Sequence, residues 1–371
     1  EPVLELNVPV LEQHLDSVVS AKENLMRAAK SNSEVLQSNL KFAECLRSLG
    51  VEPPTKISLR TNKETFAFSK SDKGMTELLE HPNLAVQTLV AARIGVKSTL
   101  EETRTQRLLG IAKRAGVLPV PLRYYAAHTG RWGGSDKLNM QNLPSRGSNT
   151  IKQSIIAPDG HVLIDADSSQ IEARTLAWLS GQYDLVNAFA NDEDVYKIMA
   201  SQIYGKPEEE ITKNERFVGK SVILGSGYGM GHEKFRSQLV GFNVDIDVEE
   251  ARNIIAIYRK TYDRIPALWR QANRCLDALH RNQSCQLGKH PKAIRLDEGG
   301  FYLPNGMLLT YPQLELDQED NYSYISRNSR TKIYGGKVIE NICQALARCI
   351  ISWQMVKIAR KYKIALTVHD S

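Results

Sequence analysis

The amino-acid sequence predicts an α+β fold in which a helical N-terminal arm precedes a small sheet with a large helical insertion. Three observations predict this fold. Apolar residues recur every three or four positions in residues 1–50 and 74–115, which is typical of amphipathic helices. Short apolar runs that end in acidic residues, at 161–167 and 364–371, indicate buried strands. Between these runs, residues 185–282 carry mainly helical patterns.

Proline and glycine set the helix boundaries in the N-terminal part. The first periodic segment begins after Pro9, and a second helix runs to Gly50, shortly before Pro53. A further helical pair is predicted over roughly 74–90 and 97–115. We find no internal repeat, so the sequence does not predict a solenoid.

The remaining elements follow from apolar periodicity and from short β-branched or aromatic runs. The strand at 161–167 precedes a helix from about 170 to 179, and short strands are predicted within 300–335. The predicted helices of the C-terminal part are 185–205, 213–240, 248–282 with an interruption near Pro266, and 337–362.

Composition is that of a globular protein. The 371 residues are 42% hydrophobic and 24% charged, which predicts two or three domains and excludes a disordered, collagen-like or disulfide-rich chain. The five cysteines are scattered, so we expect reduced thiols and a cytoplasmic location. No apolar run approaches the roughly 20 residues that span a bilayer. Because the chain starts at Glu1 and ends on a strand-like run, we interpret it as a fragment.

Charge is distributed unevenly along the chain. Residues 101–150 hold eight Lys and Arg against three Asp and Glu, and residues 321–371 hold nine against two. Residues 151–200 reverse this balance, with three against eight. Basic blocks around an acidic block could bind a polyanion and a metal, respectively. Solvated helix faces would give the same distribution, so charge alone leaves both interpretations open.

Acidic residues end both predicted strands. Side chains alternate along a strand, so Asp165 and Asp167 share one face, and Asp370 ends the second run. Carboxylates at strand ends suit Mg²⁺, and two such acids far apart in sequence could hold two ions for phosphoryl chemistry. Alternatively, the first pair of acids could cap the helix that begins near Gln170.

One helical segment carries spaced basic and aromatic residues. In the predicted helix from 213 to 228, Arg216, Lys220, Leu224 and Tyr228 follow one another at four-residue intervals and share one face. Such a face has a cationic end for phosphates and an aromatic end for base stacking. A charged surface stripe with a partly buried tyrosine would have the same pattern.

These residues resemble the sequence motifs of family A DNA polymerases. The segment DSSQIEAR at 167–174 resembles their motif A, usually DYSQIELR, and RFVGKSVILGSGYG at 216–229 resembles motif B. The final HDS at 369–371 resembles motif C, usually HDE. TGR at 129–131 and NMQNLP at 139–144 are similar to the segment that precedes motif A. The order and spacing of these segments agree with the family, and the overall sequence pattern most resembles that of its bacteriophage members.

The resemblance implies a right-hand polymerase fold with a helical thumb, an antiparallel-sheet palm and helical fingers. The implied domains are a thumb over 1–125, a palm over 126–176 and 310–371, and fingers over 177–309. It also implies a template-directed DNA polymerase that adds dNTPs to a primer 3′-hydroxyl by a two-metal mechanism. The implied partners are primer–template DNA and dNTPs, with no membrane, and a processivity or replisome factor is left open.

The resemblance assigns roles to individual residues. Two Mg²⁺ ions would be held by the carboxylates and one backbone carbonyl of Asp167, Asp370 and Ser168. The catalytic set comprises Asp167, Asp370, Lys220 and Arg216. The dNTP would contact Glu172 as a steric gate against ribose, together with Gln170, Arg216, Lys220, Leu224 and Tyr228. Primer–template DNA would contact Arg131, Asn139, Gln141, Asn142, Arg146, Gln344 and His369.

Some positions depart from the family pattern. Ser168 replaces the usual Tyr, which the family uses through its carbonyl, and Leu224 replaces the usual Phe or Tyr. Tyr196 lies where many members have a phosphate-contacting His, and Ser371 replaces Glu. Two alternatives to a DNA polymerase stay open. One is a non-catalytic DNA-binding remnant, and the other is a single-subunit RNA polymerase, against which Glu172 argues.

Overall fold

The computed structural model describes residues 3–58, 62–70, 72–136, 138–143, 149–242, 244–327 and 329–368. Within these ranges the protein is α+β, as predicted, with long helices and short antiparallel strands. The chain divides into two compact units. The first comprises Glu1–Val120 and Asn142–Ile164, and the second comprises Pro121–Gln141 and Asp165–Ser371.

The first unit is mainly helical. Its helices are α1 (Val8–Ala28), α2 (Ser33–Gln37), α3 (Asn39–Ser48), α4 (Lys73–Leu79), α5 (Leu84–Lys97), α6 (Leu100–Ala115) and α7 (Thr150–Gln153). Its strands are β1 (Leu4–Leu6), β2 (Thr55–Ile57), β3 (Glu64–Phe66), β4 (Val117–Leu118) and β7 (Ile155–Ile156). β1 pairs with β4 and β7 in an antiparallel sheet, and β2 pairs with β3.

An arginine lies at the centre of the first unit's helical core. The Arg93 guanidinium lies 4.3 Å from the ring centroid of Phe42 and 4.9 Å from that of Phe68, and it donates to the Leu36 carbonyl oxygen at 2.7 Å. These contacts compensate for burial, which lowers the pKa of Arg93. The single helix predicted over 74–90 is two helices, α4 and α5, because Pro82 interrupts the pattern.

The second unit contains eight helices and three antiparallel sheets within the described residues. Its helices are α8 (Ile171–Ser180), α9 (Tyr183–Ala190), α10 (Val195–Tyr204), α11 (Lys213–Ser226), α12 (His232–Val240), α13 (Val248–Thr261), α14 (Arg264–His280) and α15 (Gly335–Ile358). Its strands are β5 (Leu122–Arg123), β6 (Gly133–Gly134), β8 (Cys285–Gln286), β9 (Arg295–Asp297), β10 (Gly300–Tyr302), β11 (Leu308–Leu309), β12 (Glu315–Leu316), β13 (Tyr322–Ser326) and β14 (Ser329–Ile333). The sheets have the orders β11-β10-β9-β8, β12-β13-β14 and β5-β6.

One hydrophobic core joins the helices of the second unit. It includes Met199, Val222, Leu276 and Ile339, from α10, α11, α14 and α15, none of which is accessible to solvent. The predicted break near Pro266 lies slightly earlier, between α13 and α14, because proline is tolerated in the first turn of a helix. No helix among the described residues is both long and apolar enough to cross a bilayer.

Both strand predictions beside the acidic residues are wrong for the part of the chain that the structure describes. Residues 161–168 and 363–368 have no regular secondary structure, and they pair with none of the described strands. Val162 and Ile164 are 82% and 76% exposed, so the first run is not buried. An apolar run becomes a strand only if a partner supplies its hydrogen bonds, and the composition of the run does not reveal that partner. Residues 369–371 lie outside the described residues.

Candidate active site

A cluster of charged and aromatic side chains forms where α10 packs against α11. The Nε of Arg216 donates to Oδ2 of Asp194 at 2.6 Å. The Arg216 guanidinium lies 5.3 Å from the ring centroid of Tyr196, and the Nζ of Lys220, one turn further along α11, lies 5.7 Å from the same centroid. The four-residue spacing therefore brings both cations to one tyrosine ring, as predicted for a shared helix face.

Asp194 holds this cluster together. Its Oδ1 accepts from the backbone amides of Tyr196 and Lys197, at 3.1 and 3.2 Å, and so caps α10. Burial raises the pKa of Asp194, but the hydrogen bonds from Arg216 and from the two amides outweigh burial and lower it overall. The carboxylate is thus ionised at neutral pH, and with Arg216 and Lys220 the cluster carries a net charge of about +1.

Two further groups complete the surroundings of Tyr196. Burial is the main cause that raises the pKa of the Tyr196 phenol, and a hydrogen bond with the Gln170 side chain partly opposes it. Gly219 on α11 lies against α10 so closely that a Cβ there would come within 2.2 Å of the Tyr196 carbonyl oxygen. A glycine at this position is therefore required for the two helices to approach as they do.

Tyr228 is not on the α11 face where it was predicted. The helix ends at Ser226, and Gly227 caps it, so the tyrosine follows in an irregular turn. The indole Nε1 of Trp269 donates to the Gly227 carbonyl oxygen at 2.8 Å and fixes this turn. Gly229, three residues after the end of the helix, has a φ of +85°, so the helix does not continue past Tyr228.

The Tyr228 ring lies instead between α8 and α15. Burial raises its pKa well above the usual value, and the nearby Cys343 and Glu172 raise it further. Its backbone lies against α15, where a Cβ on Gly336 would come within 2.4 Å of the Tyr228 carbonyl oxygen. Tyr228 and Glu172 are therefore neighbours, although they belong to different sequence motifs.

A cavity of about 280 Å³ lies beside Glu172 in the second unit. Four predicted site residues line it, namely Arg131, Gln141, Glu172 and Gln344. The Nη1 of Arg131 lies 4.0 Å from Oε1 of Glu172. The cavity thus collects residues from the segment before motif A, from α8 and from α15.

The sequence analysis missed the other six cavity residues, of which two carry hydrogen-bond donors on large side chains. Trp132 and Arg348 also line the cavity, with the Arg348 guanidinium 5.4 Å from the indole ring. Arg348 follows Gln344 by one helical turn on α15, and this spacing was a usable signal. Its Nε donates to the Gly130 carbonyl oxygen at 3.3 Å, and burial lowers its pKa.

Three buried donors around the cavity lack acceptors among the described residues. They are Nε of Arg131, Nε1 of Trp132 and Nη1 of Arg348. A buried donor without an acceptor costs about 1–3 kcal/mol, and all three of these donors belong to residues that line the cavity.

The acidic segment before α8 is more open. Asp165 and Asp167 are exposed, and the Ser168 carbonyl oxygen accepts from the Ile171 amide at 3.2 Å. The Ser168 hydroxyl donates to Oε1 of Gln354 at 3.1 Å, which ties the segment to α15. Gln170, and neither acid, is the N-cap residue of α8, and its side chain makes no capping hydrogen bond.

The described residues include part of the predicted metal site. Among the described residues, no three His, Cys, Asp or Glu side chains lie close enough together to hold an ion. Asp370 lies outside the described residues. The Asp167 carboxylate and the Ser168 carbonyl are hard oxygen donors of the kind that Mg²⁺ prefers, so the described part of the donor set fits that ion.

Comparison with known families identifies the chain. The model of DNA polymerase family A matches residues 8–286. The chain belongs to DNA polymerase family A. This match includes the segments that resemble motifs A and B, together with the segment before motif A.

Individual relatives of this family A chain are bacterial and viral. The DNA polymerase of Bacillus phage SP02 is 25% identical, with 97% of this chain and 63% of the phage protein covered. DNA polymerase I of Deinococcus radiodurans is 35% identical over 72% of this chain and 29% of its own length. The thermostable DNA polymerase I of Thermus aquaticus is 33% identical over 42% and 18%. The chain therefore spans less than two thirds of each of these relatives.

A solved structure has the same fold. The POL domain of Pol1 from M. smegmatis, in complex with DNA primer-template and dNTP, has a TM-score of 0.69 and 21% identity to this family A chain. The structural match covers 99% of this chain and 60% of the M. smegmatis chain. The predicted right-hand polymerase fold is thus confirmed.

Other predicted site residues of the family A chain lie apart from the cavity or outside the described ranges. Oδ1 of Asn139 accepts from the Gln141 amide at 3.0 Å, and the Asn142 carbonyl oxygen accepts from Nη1 of Arg104 at 3.0 Å. Neither asparagine lines the cavity as described. Arg146 and His369 lie outside the described residues.

Proposed function

We propose that this chain carries a template-directed DNA polymerase that adds dNTPs to a primer 3′-hydroxyl. The observation that carries this proposal is the cavity where Arg131, Gln141, Glu172 and Gln344 meet, beside Tyr228. The thumb over 1–125, the palm over 126–176 and 310–371 and the fingers over 177–309 are part of the same proposal, as are the partners primer–template DNA and dNTPs.

The unpaired donors of the cavity suit the minor groove of DNA. Every base pair has acceptors there, on purine N3 or pyrimidine O2, so donors can contact any sequence. Arg131, Trp132 and Arg348 are buried donors without described acceptors, and Gln141 and Gln344 add amide groups. Such contacts position a duplex without reading its sequence, which a template-directed polymerase needs. Asn139, Asn142, Arg146 and His369 are proposed to contact the DNA elsewhere.

The cation cluster suits the triphosphate of the incoming dNTP. Asp194 fixes Arg216, while Lys220 shares the Tyr196 ring and contributes the surplus charge. Preorganised cations stabilise the charge that develops on phosphate oxygens during transfer. Leu224, one turn further along α11, is 45% exposed, so it faces outward and is proposed to lie against the same nucleotide.

Asp167, Asp370 and the Ser168 carbonyl would hold two Mg²⁺ ions. When bound, these ions lower the pKa of a coordinated hydroxyl and neutralise phosphate charge. The chain contributes the alignment, because the Ser168 hydroxyl is bonded to Gln354 on α15. The side chain of Gln170, next to this segment, contacts Tyr196 in the cation cluster, so one short segment links the carboxylate and the cations.

Glu172 is proposed to exclude ribonucleotides. Its carboxylate lies beside Tyr228, which would border the nascent base pair, so a sugar between them would be crowded at its 2′ position. This crowding favours a DNA polymerase over a single-subunit RNA polymerase. A processivity or replisome factor stays a prediction.

Primer extension with dNTPs and with rNTPs tests the proposal. We expect the wild type to extend a primer with dNTPs, to discriminate against rNTPs, and to lose that discrimination in Glu172→Ala. Glu172→Gln keeps the bulk without the charge and is the matched control, so it should retain the discrimination. Extension by the wild type with rNTPs would indicate an RNA polymerase. Binding of primer–template without any extension would indicate a DNA-binding remnant.

A further inference from the structure

Two cysteines of the second unit lie side by side, although they belong to different elements. Cys275 is in the C-terminal half of α14, and Cys285 is the first residue of β8. Both are free thiols, and their Sγ atoms are 2.6 Å apart. Even two carbon atoms in van der Waals contact are about 3.5–4.0 Å apart, whereas the sulfurs of a disulfide are about 2.05 Å apart. The two thiols are therefore close to bonding distance.

A glutamine one turn earlier on α14 holds β8 in place. The Nε2 of Gln271 donates to the Gln286 carbonyl oxygen at 3.0 Å, and its Oε1 accepts from the Gly288 amide at 3.0 Å. Gln271 precedes Cys275 by four residues, so the two side chains lie on the same face of the helix. One amide group thus fixes the backbone directly after Cys285 and keeps its sulfur beside that of Cys275.

The two thiols share one oxygen acceptor. The Sγ atoms of Cys275 and Cys285 lie 3.7 and 3.5 Å from the Gln286 carbonyl oxygen. That oxygen already accepts from Gln271. Because a thiol is a weak donor, these contacts oppose the formation of an S–S bond only weakly.

The two sulfurs differ in their access to solvent. Cys275 is fully buried, whereas Cys285 is partly exposed. Burial raises the pKa of the Cys275 thiol, and the hydrogen bond with Cys285 raises it further, so Cys275 is protonated at neutral pH. A reagent from solution therefore reaches Cys285 first, and Cys275 reacts only with the sulfur beside it.

We propose that Cys275 and Cys285 form a reversible dithiol–disulfide site that Gln271 positions and that exchange with a small-molecule disulfide closes. Cys285 loses its proton to solvent, and its thiolate attacks one sulfur of the small disulfide, which releases a first thiolate. Cys275 then attacks the Cys285 sulfur, its proton passes to solvent, and a second thiolate leaves. The protein loses two electrons and two protons, and the small disulfide becomes two thiols. This chemistry needs neither DNA nor dNTP, so it is independent of the proposed polymerase function.

The closed site would join α14 to the sheet that contains β8. Helix α14 also carries Trp269, which donates to the Gly227 carbonyl oxygen, and Asn273, whose Oδ1 accepts from the Gly335 amide at 2.6 Å. A crosslink on this helix should therefore stabilise the second unit. For two cysteines ten positions apart, the unfolding equilibrium constant should fall roughly 100-fold.

Mass spectrometry tests the linkage directly. The wild type is incubated with glutathione disulfide, unfolded in the presence of N-ethylmaleimide and digested with trypsin. Cleavage after Arg281 places the two cysteines on separate peptides. We expect these peptides to be joined, and dithiothreitol to separate them. Glutathione attached to Cys285 without a link to Cys275, or two alkylated thiols, would overturn the proposal.

Unfolding in urea tests the effect on stability. All four tryptophans belong to the second unit, so their fluorescence reports on that unit. Glutathione disulfide should raise the urea midpoint of the wild type and leave that of Cys285→Ser unchanged. Cys45→Ser removes a partly buried thiol from the first unit and is the matched control, so it should respond like the wild type. An equal rise in Cys285→Ser would assign the effect to other thiols and contradict the proposal.

The role of Gln271 is tested with mixtures of reduced and oxidised glutathione. Gln271→Ala removes both hydrogen bonds to the β8 segment, so half oxidation of the site should need a several-fold higher proportion of glutathione disulfide. Gln283→Ala removes an exposed side chain between the two cysteines and should leave that proportion unchanged. If Gln271→Ala titrated like the wild type, Gln271 would not position the site, and this part of the proposal would be wrong.

Discussion

The cationic and acidic parts of the proposed site are held in different ways. Arg216 and Lys220 both lie on α11, which packs against α10, and an ion pair, a shared aromatic ring and a buried glycine contact surround them. Asp165 and Asp167 lie in an exposed, irregular segment that pairs with no described strand. The difference teaches that packed helices can position a site by their own contacts, whereas a segment without regular secondary structure depends on partners that are distant in sequence.

The largest expected effect comes from the acidic part. Asp167→Ala should lower dNTP incorporation by roughly 10³-fold or more, because a lost metal ligand acts on the chemical step. Affinity for primer–template should change little, since it comes mainly from contacts to phosphate. Single-turnover extension and DNA anisotropy measure the two quantities. Asp159→Ala, at an exposed position of the preceding turn, is the control for loss of charge. Normal extension by Asp167→Ala would remove this segment from the site.

The cationic part should show a smaller effect that is specific to the nucleotide. Lys220→Ala should lower kcat/KM for dNTP by roughly 10- to 150-fold, the equivalent of one lost charge-assisted hydrogen bond of about 1.5–3 kcal/mol. Steady-state kinetics at saturating DNA measures it. Lys213→Ala, exposed at the start of the same helix, should have no such effect. If DNA affinity fell while dNTP kinetics stayed normal, α11 would instead be a duplex-binding surface.

The packing of α10 against α11 can be tested without catalysis. Gly219→Ala should lower the free energy of unfolding by about 1–3 kcal/mol, because its Cβ would lie within 2.2 Å of the Tyr196 carbonyl oxygen. Gly110→Ala, inside α6, should stabilise by up to about 1 kcal/mol, since its Cβ would meet nothing closer than 3.7 Å. Urea unfolding of both variants measures these changes. Equal effects would mean that α10 and α11 are not in tight contact.

The smallest expected effect concerns the carboxylate that orients Arg216. Asp194→Asn should lower kcat/KM for dNTP only a few-fold, because the amide still caps α10 but no longer pairs with the guanidinium. Since the folded pKa of Asp194 is lowered, its stabilisation is complete above the unfolded pKa and is lost as the pH falls through the folded pKa.

The urea midpoints of wild type and Asp194→Asn should therefore differ at pH 7, and the difference should shrink as the pH falls below about 3.8, the ordinary pKa of the residue. Asp245→Asn removes a carboxylate that is 90% exposed and 4.0 Å from its arginine, so it should leave the midpoint unchanged at every pH. A difference that persists into acid would assign the effect to the helix cap alone.

Site residues that lie within regular helices could be predicted from the sequence, whereas Tyr228, which follows the end of a helix, could not. Arg216 and Lys220 point in a common direction because residues four positions apart lie on the same face of any regular helix. Arg348 was accessible to the same reasoning, because it lies one turn after Gln344. The position of Tyr228 was not accessible, since it depends on where a glycine-rich helix end stops and on the α15 surface that receives the ring.

The fold shows the same limit. The α+β class, the helical arm and the helix break near Pro266 could be predicted, because local sequence patterns determine where helices form and end. The strands predicted at 161–167 and 364–371 are absent from the described residues. An apolar run does not reveal whether a neighbouring strand is available to pair with it. The two acids were therefore placed on a strand that the described structure does not form.

Helix α15 connects the parts of the site that the chain separates. At 24 residues it is about 36 Å long, and it contacts the Gly130 carbonyl through Arg348, Tyr311 through Asn341 and Ser168 through Gln354. Gln354 lies four residues from the end of this helix, where fraying begins on warming. Ser168 would be released before the interior contacts loosen. Heat should therefore inactivate the protein at temperatures where its core is still folded.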